Sequence, residues 1–294
     1  MIENKVVVIT PAYQKEISQN EYLSIKSSRH YLQHYHHVII APKKFSNDKE
    51  FIQLWESLHY EIVFFDNNYF LNSKTYNKLM MTSEFYQSFS HFNYMLIVQL
   101  DVLIFQNSLD YWIKKDIDYV GAPWIIEDSK GIRFNFAGNG GLSLRKISTF
   151  IKVLNAKNTI SKQELFLKLP ITSYLRNIIL IYFLLRLPLS KYHLPIFKFL
   201  LKGHEDNFWT FYATFFTEKF KVASIEDSLA FAFERHPEFC FKKNHHKLPF
   251  GVHAWERYNP EFWNKYTQKI SNLALPKYQE PSNCDLNHTY RNII

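Results

Sequence analysis

Glycine and cysteine are the scarce residues in this chain, seven and two of 294. So little glycine excludes a collagen-like or Gly-rich low-complexity chain. Cys240 and Cys284 form no C-x-x-C pair and could close at most one bridge. That excludes a disulfide scaffold or cysteine-rich zinc module and fits a reducing compartment. The Gly-rich phosphate loops are missing: neither G-x-G-x-x-G nor G-x-x-x-x-G-K-[ST] occurs. Rossmann dehydrogenases and P-loop NTPases thereby lose their main sequence support. There is no H-E-x-x-H and no G-x-S-x-G either. The opening residues, MIENKVVVIT, lack the basic start and longer apolar stretch of a signal peptide, so the expected location is the cytoplasm.

What is present is a globular composition, 47% apolar and 21% charged with 18% aromatics. One large domain or two small ones would fit this length. The formal charge is +8, and it is concentrated: residues 152–202 hold nine Lys or Arg against the single acid Glu164. This stretch is interleaved with Leu, Ile, Phe and Tyr, and its longest apolar run, Ile178–Leu185, is far short of the ~20 residues that span a bilayer. Basic residues around apolar faces read as a segment lying on an anionic membrane surface. A helical hairpin packed on the core with its lysines in water is the plainer alternative. The apolar interleaving and the lack of a nucleic-acid motif count against a nucleic-acid partner.

The first half alternates strand and helix patterns. Apolar runs at Lys5–Thr10, His37–Ala41, Glu61–Phe65 and Tyr94–Gln99 read as buried parallel strands. Between and after them, helical spacing appears over Ser18–Gln33, Asn47–Trp55, Ser73–Ser88 and Leu109–Lys115. Beyond Tyr119 come short apolar pieces split by Pro and Gly turns, then the basic stretch, a last helix near Glu205 and an aromatic, loop-rich tail. The expected fold is one α/β domain over 1–294, its central sheet mostly parallel and flanked by helices, with a basic helical insertion at 152–203.

In open α/β sheets, ligands bind beyond the carboxyl ends of the strands. That rule nominates Thr10, Pro11 and Tyr13 after the first strand, Asp66 after the third, and Gln99 with Asp101 after the fourth. Asp101 stands between two apolar runs, and a carboxylate there needs a partner, a hydrogen bond or a metal. A cap or turn aspartate is the competing reading. Gly138-Asn139-Gly140-Gly141-Leu142-Ser143-Leu144-Arg145 gathers three of the seven glycines. Glycine lets a backbone turn sharply or approach a ligand closely; a bulged hairpin would explain the glycines but not Asn139, Ser143 and Arg145. Further on, Glu205-Asp206 at a helix start are either helix caps or a general base over the glycine turn.

The order TPxY, YNxLM, QLD, YVGAPW, GNGGLSLR, HEDNFW and GVHAW resembles a family of bacterial glycosyltransferases with a single GT-A-like domain, formerly described as a domain of unknown function of the DUF5672 type. More distantly it is similar to inverting β-galactosyltransferases, which share a GG-x-S turn followed by an acidic E-D pair. The resemblance runs from about Lys5 to Trp263. It implies transfer of a sugar, with galactose in pyranose or furanose form as the weak preference, from a nucleotide donor such as a UDP-sugar to a glycan or lipid-linked hydroxyl. Such acceptors serve surface polysaccharides, capsule or lipopolysaccharide, at the inner face of the cell membrane, where the segment 152–203 would meet them.

By the same resemblance, Thr10, Pro11, Tyr13 and Asp66 bind the base and ribose, and Asp206 is the base while Glu205 binds a hydroxyl. The acidic motif of the fourth strand normally reads D-x-D, whereas this chain has Gln99-x-Asp101. Either Asp101 with His253 holds Mn²⁺ or Mg²⁺, or Lys74, Tyr76 and Arg145 stabilise the diphosphate without metal. Trp124, Trp209 and Trp255, with Asn139, Gly140 and Gly141, would pack on or bind the sugars, although for any single Trp a core position is the simpler expectation. The missing carboxylate also keeps a catalytically inactive sugar- or nucleotide-binding protein as the alternative.

Overall fold

The computed structural model describes residues 6–156, 160–161, 191–192, 204–217 and 219–275. The basic stretch 152–203 therefore lies almost wholly outside the described residues, and so does Cys284.

Six strands form the central sheet: β1 (Val6–Pro11), β2 (His36–Pro42), β3 (Glu61–Phe65), β4 (Tyr94–Val98), β6 (Tyr119–Gly121) and β9 (Leu142–Lys146), in the order β3-β2-β1-β4-β9-β6. β3, β2, β1 and β4 are parallel, and β9 runs antiparallel to both β4 and β6. Every residue of β1 and β4 is buried, which is why both read as unbroken apolar runs rather than alternations. The mostly parallel sheet flanked by helices agrees with the expected class.

Alternation still sorts the two faces. Val7 and Ile9 point to one side, where α3 (Ser73–Leu79), α4 (Ser83–Gln87) and α6 (Ile147–Leu154) bring Leu79, Phe85, Tyr86 and Phe150. Val6 and Val8 point to the other, against Leu32, Trp112 of α5 (Leu109–Lys114) and Phe231. On that side, beside β2, α1 (Gln19–Tyr31) and α2 (Lys49–Ser57) pack Ile25, Phe51 and Trp55. α1 begins on a reciprocal cap: Ser18 Oγ accepts from Glu21 N, and Glu21 Oε2 accepts from Ser18 N.

Two expectations are corrected. Ser73–Ser88 is two helices rather than one, because Thr82 Oγ1 accepts from Phe85 N and its hydroxyl donates to Leu79 O. That side chain closes one helix and caps the next, as β-hydroxyl residues do. Among the described residues, the tail beyond Glu205 is not loop-rich. After the sheet pair β7 (Pro123–Asp128) and β8 (Gly131–Ala137) and the short ladder β10 (Ile160–Ser161) with β11 (Lys191–Tyr192), it contains five helices. They are α7 (Glu205–Phe211), α8 (Ala213–Phe216), α9 (Ile225–Phe231), α10 (Pro237–Lys243) and α11 (Pro260–Ser271). Pro237 and Pro260 each open a helix, the one place proline suits it. Before the first of these two helices β12 (Ala232–Phe233), and between them β13 (Gly251–His253), join β5 (Val102–Ile104) in a three-stranded sheet. This second sheet carries His253 to the register of Val102, beside Asp101.

Candidate active site

The turn Gly138–Gly141 closes over the carboxyl end of β4, where Gln99 N donates to Gly141 O at 3.2 Å. Its path is set by close packing. A Cβ on Gly121 would stand 1.9 Å from the carbonyl oxygen of Asn139, one on Gly140 2.7 Å from Glu205 Oε1, and one on Gly141 2.1 Å from His253 Nε2. Gly138 needs its glycine for another reason, a φ of +108°. Tyr119 hydroxyl donates to Gly138 O at 2.7 Å. A Gly121→Ala variant should lose about 1–3 kcal/mol, because the atom it strikes is backbone and cannot move aside. A reduced midpoint in urea unfolding is the readout.

Under this turn lies Arg145, fully buried on β9. Nη2 meets Glu205 Oε1 at 2.7 Å and Nη1 donates to Glu205 Oε2 at 3.4 Å. Nε donates to Ser143 Oγ at 3.0 Å, Nη1 to Tyr86 hydroxyl at 2.9 Å, and Nη2 to Gly140 O at 3.4 Å. Tyr86 passes the chain on by donating to Met80 O, and Ser143 by donating to Gly140 O. The rings of Tyr119 and Phe150 flank the guanidinium. Burial works against its charge, but Glu205 and the two tyrosines outweigh that and hold it firmly protonated. The two halves of the motif set, GNGGLSLR and HEDNFW, are one hydrogen-bonded unit.

Asp206 is the neighbour of that ion pair. Its Oδ1 accepts from Asn207 N at 2.8 Å and its Oδ2 from Gly140 N at 3.3 Å. Only 7% of the residue is exposed. Burial first, and the charge of Glu205 second, raise this carboxyl from the ordinary 3.8 to about 7. Glu234 adds to the rise, and the two backbone N–H bonds work against it. Neither Glu205 nor Asp206 is the helix N-cap, a position held by His204. A buried carboxyl poised near neutrality is suited to taking a proton from a hydroxyl.

Glu234, after β12, ties the other side together. Asn139 Nδ2 donates to Glu234 Oε2 at 2.9 Å, and Glu234 Oε1 lies 3.2 Å from His253 Nδ1. The far nitrogen, His253 Nε2, is 3.2 Å from Gln99 Oε1 and 3.5 Å from Asp101 Oδ1. Burial pulls the imidazole down, but Glu234, Asp101 and Asp206 prevail and raise it above the ordinary 6.5. Asp101 and His253 thus face each other with an amide oxygen beside them. Among the described residues no group of three or more His, Cys, Asp or Glu is arranged to hold a metal ion.

Of the remaining nominated residues, Thr10 is buried near the end of β1, followed there by the buried Pro11. Tyr13 is 53% exposed, and its phenol is raised by partial burial and by the charges of Glu21 and Asp101. Tyr76 is pushed up by burial, with Arg145 and Glu205 acting on it. Asp66 is an exposed cap that accepts from Asn68 N at 2.8 Å, and Lys74 is exposed on α3. Trp124 is half-buried on β7 and Trp255 is buried.

Two assignments change. Arg145 is enclosed and its donors are occupied within the protein, so it holds Glu205 rather than lying open to a diphosphate. Trp209 is a fully buried core side chain, packed at a tilt against Phe150 with ring centroids 3.8 Å apart, and is not available to a sugar. Sequence reasoning missed Glu234, although it follows the apolar run Leu229–Phe233 as Asp101 follows β4, and the same strand-end rule would have found it. Nothing in the local pattern marks Tyr86, whose helical spacing reads as ordinary core.

A mixed α/β fold with paired carboxyls, an enclosed arginine and a glycine turn at the carboxyl edge of its sheet defines the class. The chain belongs to the family described as "Protein of unknown function (DUF5672)", whose model matches residues 59–253. No curated protein matches it. Among solved structures it is similar to the glycosyltransferase GlyE of Streptococcus pneumoniae, at 12% identity and a TM-score of 0.41, over 91% of this chain and 62% of that one. A second is a glycosyltransferase involved in glycosylation of the major capsid of PBCV-1 (10% identity, TM-score 0.38, 90% and 99% covered). A third is the 4-diphosphocytidyl-2C-methyl-D-erythritol synthase of Anaerococcus prevotii (9% identity, TM-score 0.31, 62% and 97% covered). The chain spans about three fifths of the length of GlyE. Among the described residues no helix is long and apolar enough to cross a membrane.

Proposed function

We propose that this protein is an inverting glycosyltransferase of GT-A-like fold, moving a sugar from a nucleotide-diphosphate donor to an acceptor hydroxyl. One observation carries the reading: the Asp206 carboxyl, buried at the carboxyl edge of the sheet and raised to about 7, stands on the glycine turn beside an ion-paired Glu205. Asp206 takes the acceptor proton as the hydroxyl oxygen attacks the anomeric carbon and the sugar–phosphate bond breaks, the electron pair leaving with the diphosphate. General-base help of this kind contributes about 10²–10⁴-fold. Exposed Tyr13, with Thr10 and Pro11, lies where the base and ribose bind, and Lys74 and Tyr76 lie toward the diphosphate. Asn139, Gly140, Gly141, Trp124 and Trp255 line the sugar and acceptor side.

A divalent ion of the Mg²⁺ type is held by one or two carboxylates together with substrate phosphates. Asp101 and His253 are the residues that would supply the protein's share, and the ion would neutralise charge on the leaving diphosphate. UDP is the proposed donor nucleotide, galactose the proposed sugar, and a lipid-linked glycan of bacterial surface polysaccharide the proposed acceptor, met at the membrane through 152–203.

The test is thermal stabilisation by a panel of nucleotides and UDP-sugars, with Mn²⁺ and with EDTA. A ligand that binds only the folded state raises the melting temperature by mass action. UDP-sugars should stabilise the protein, and sugar turnover should follow. Binding without turnover would leave the inactive binding protein as the reading, and silence from every nucleotide would overturn both. Stabilisation that survives EDTA would remove Asp101 and His253 as metal ligands.

A further inference from the structure

Two carboxyls adjacent in sequence are enclosed together, Glu205 and Asp206 at 6% and 7% exposed, with one guanidinium between them and the core. The cation is not shared evenly. Arg145 presents its fork to both oxygens of Glu205, at 2.7 and 3.4 Å, whereas Asp206 receives two backbone N–H groups and, at 3.5 Å, the side-chain amide of Asn207. Nor can the fork swing across: Ser143 and Gly140 hold one side, Tyr86 the other, and Tyr86 is itself anchored on Met80 O. Two negative charges in so little water are costly when the one guanidinium bonded to the pair is taken up by Glu205.

We infer that Arg145, held in place by Tyr86 and Ser143, is a positioning residue that puts the two neighbours into unlike states, the charge on Glu205 and the exchangeable proton on Asp206. The inference rests on the reading of Asp206 as the base and explains why an adjacent acid pair is used: one acid takes up the arginine so that the other can titrate. Other charged or titratable groups facing Asp206 are Glu234 behind the turn, His253 on β13 and Tyr119 on β6. They shift its midpoint without hydrogen-bonding to its oxygens. Below about pH 7 Asp206 is then a donor, and the base form appears only above it. Transfer limited by this step should rise with pH through that midpoint.

The experiment is carbon NMR of the full chain labelled at the Asp and Glu side-chain carboxyls, with the two signals assigned by their loss in Asp206→Asn and Glu205→Gln. Asp206 should titrate in one step near pH 7. In Glu205→Gln, which keeps an acceptor for Arg145, the Asp206 midpoint should fall by about one pH unit, a roughly tenfold loss of proton affinity. In Arg145→Gln the single step should become two, because the proton is then shared by the pair. A merely structural arginine would leave the titration of Asp206 unchanged in Arg145→Gln. A neutral-range step on Glu205, or an unmoved Asp206 midpoint in Glu205→Gln, overturns the inference, and neither result needs Arg145→Gln to fold. The expected titration with no sugar transfer would instead overturn the proposed function and leave this inference standing.

Discussion

An Asp206→Asn variant is expected to lose transfer by about 10²–10⁴-fold and yet to melt at a higher temperature than the wild type above pH 8. The carboxyl ionises near 3.8 in the unfolded chain and near 7 in the fold. Between those values the folded protein holds a proton that the unfolded chain has released, so stability falls as pH rises through the window. The contribution is fully present below about pH 4 and is lost once pH passes the folded value. Roughly three pH units correspond to about 4 kcal/mol, reduced in the variant by whatever hydrogen bonding the amide fails to replace. Asparagine carries no charge, so it escapes the cost of an ionised buried group. At pH 5 the folded carboxyl still holds its proton and only the unfolded one has ionised, so the advantage should shrink to about 1–2 kcal/mol. Melting scans at pH 5 and pH 9 decide it: an equal difference at both would mean that Asp206 does not titrate between them.

Arg145→Met should cost about 3–5 kcal/mol. The side chain is fully buried, and removing it strands the Glu205 carboxylate at 5% side-chain exposure. Ser143 Oγ and Tyr86 hydroxyl lose their donor in the same step. Against a total stability of about 5–15 kcal/mol that is a large share. Replacing both partners, Arg145→Met with Glu205→Leu, should cost much less than the sum of the single changes, because no charge is left unpaired. Urea midpoints of the two single variants and the double one close the cycle. Additive losses would show that the pair is not coupled, and the account of the site given above would fail with it.

The contrast between these residues shows how far the chain could be read in one dimension. β1 through β4 were legible because strands buried on both faces leave apolar runs that need no partner to be recognised. Gln99, Asp101 and the glycine octet were legible as candidates because strand ends and clustered glycines have local meanings. Glu205 and Asp206 were legible as an acid pair, but not the division of labour between them, since Arg145 reaches Glu205 across sixty positions of chain. Trp209 went the other way: its motif suggested a sugar platform, and only its packing against Phe150 reveals a core position. Thr82 shows the limit within a helix, where one hydroxyl outweighs a continuous apolar spacing.

Hydrophobic periodicity, strand-end chemistry and the scarcity of glycine therefore determined, from the sequence alone, an α/β layering with an acidic site at the sheet's carboxyl edge. Which acid carries the charge, which carries the proton, and that Glu234 binds Asn139 and faces His253 were decided only by the tertiary structure. The physical reason is that periodicity is a property of neighbours along the chain. Protonation depends on burial and on charges brought within a few ångströms by folding, and those distances exist only once the sheet has closed beneath the turn.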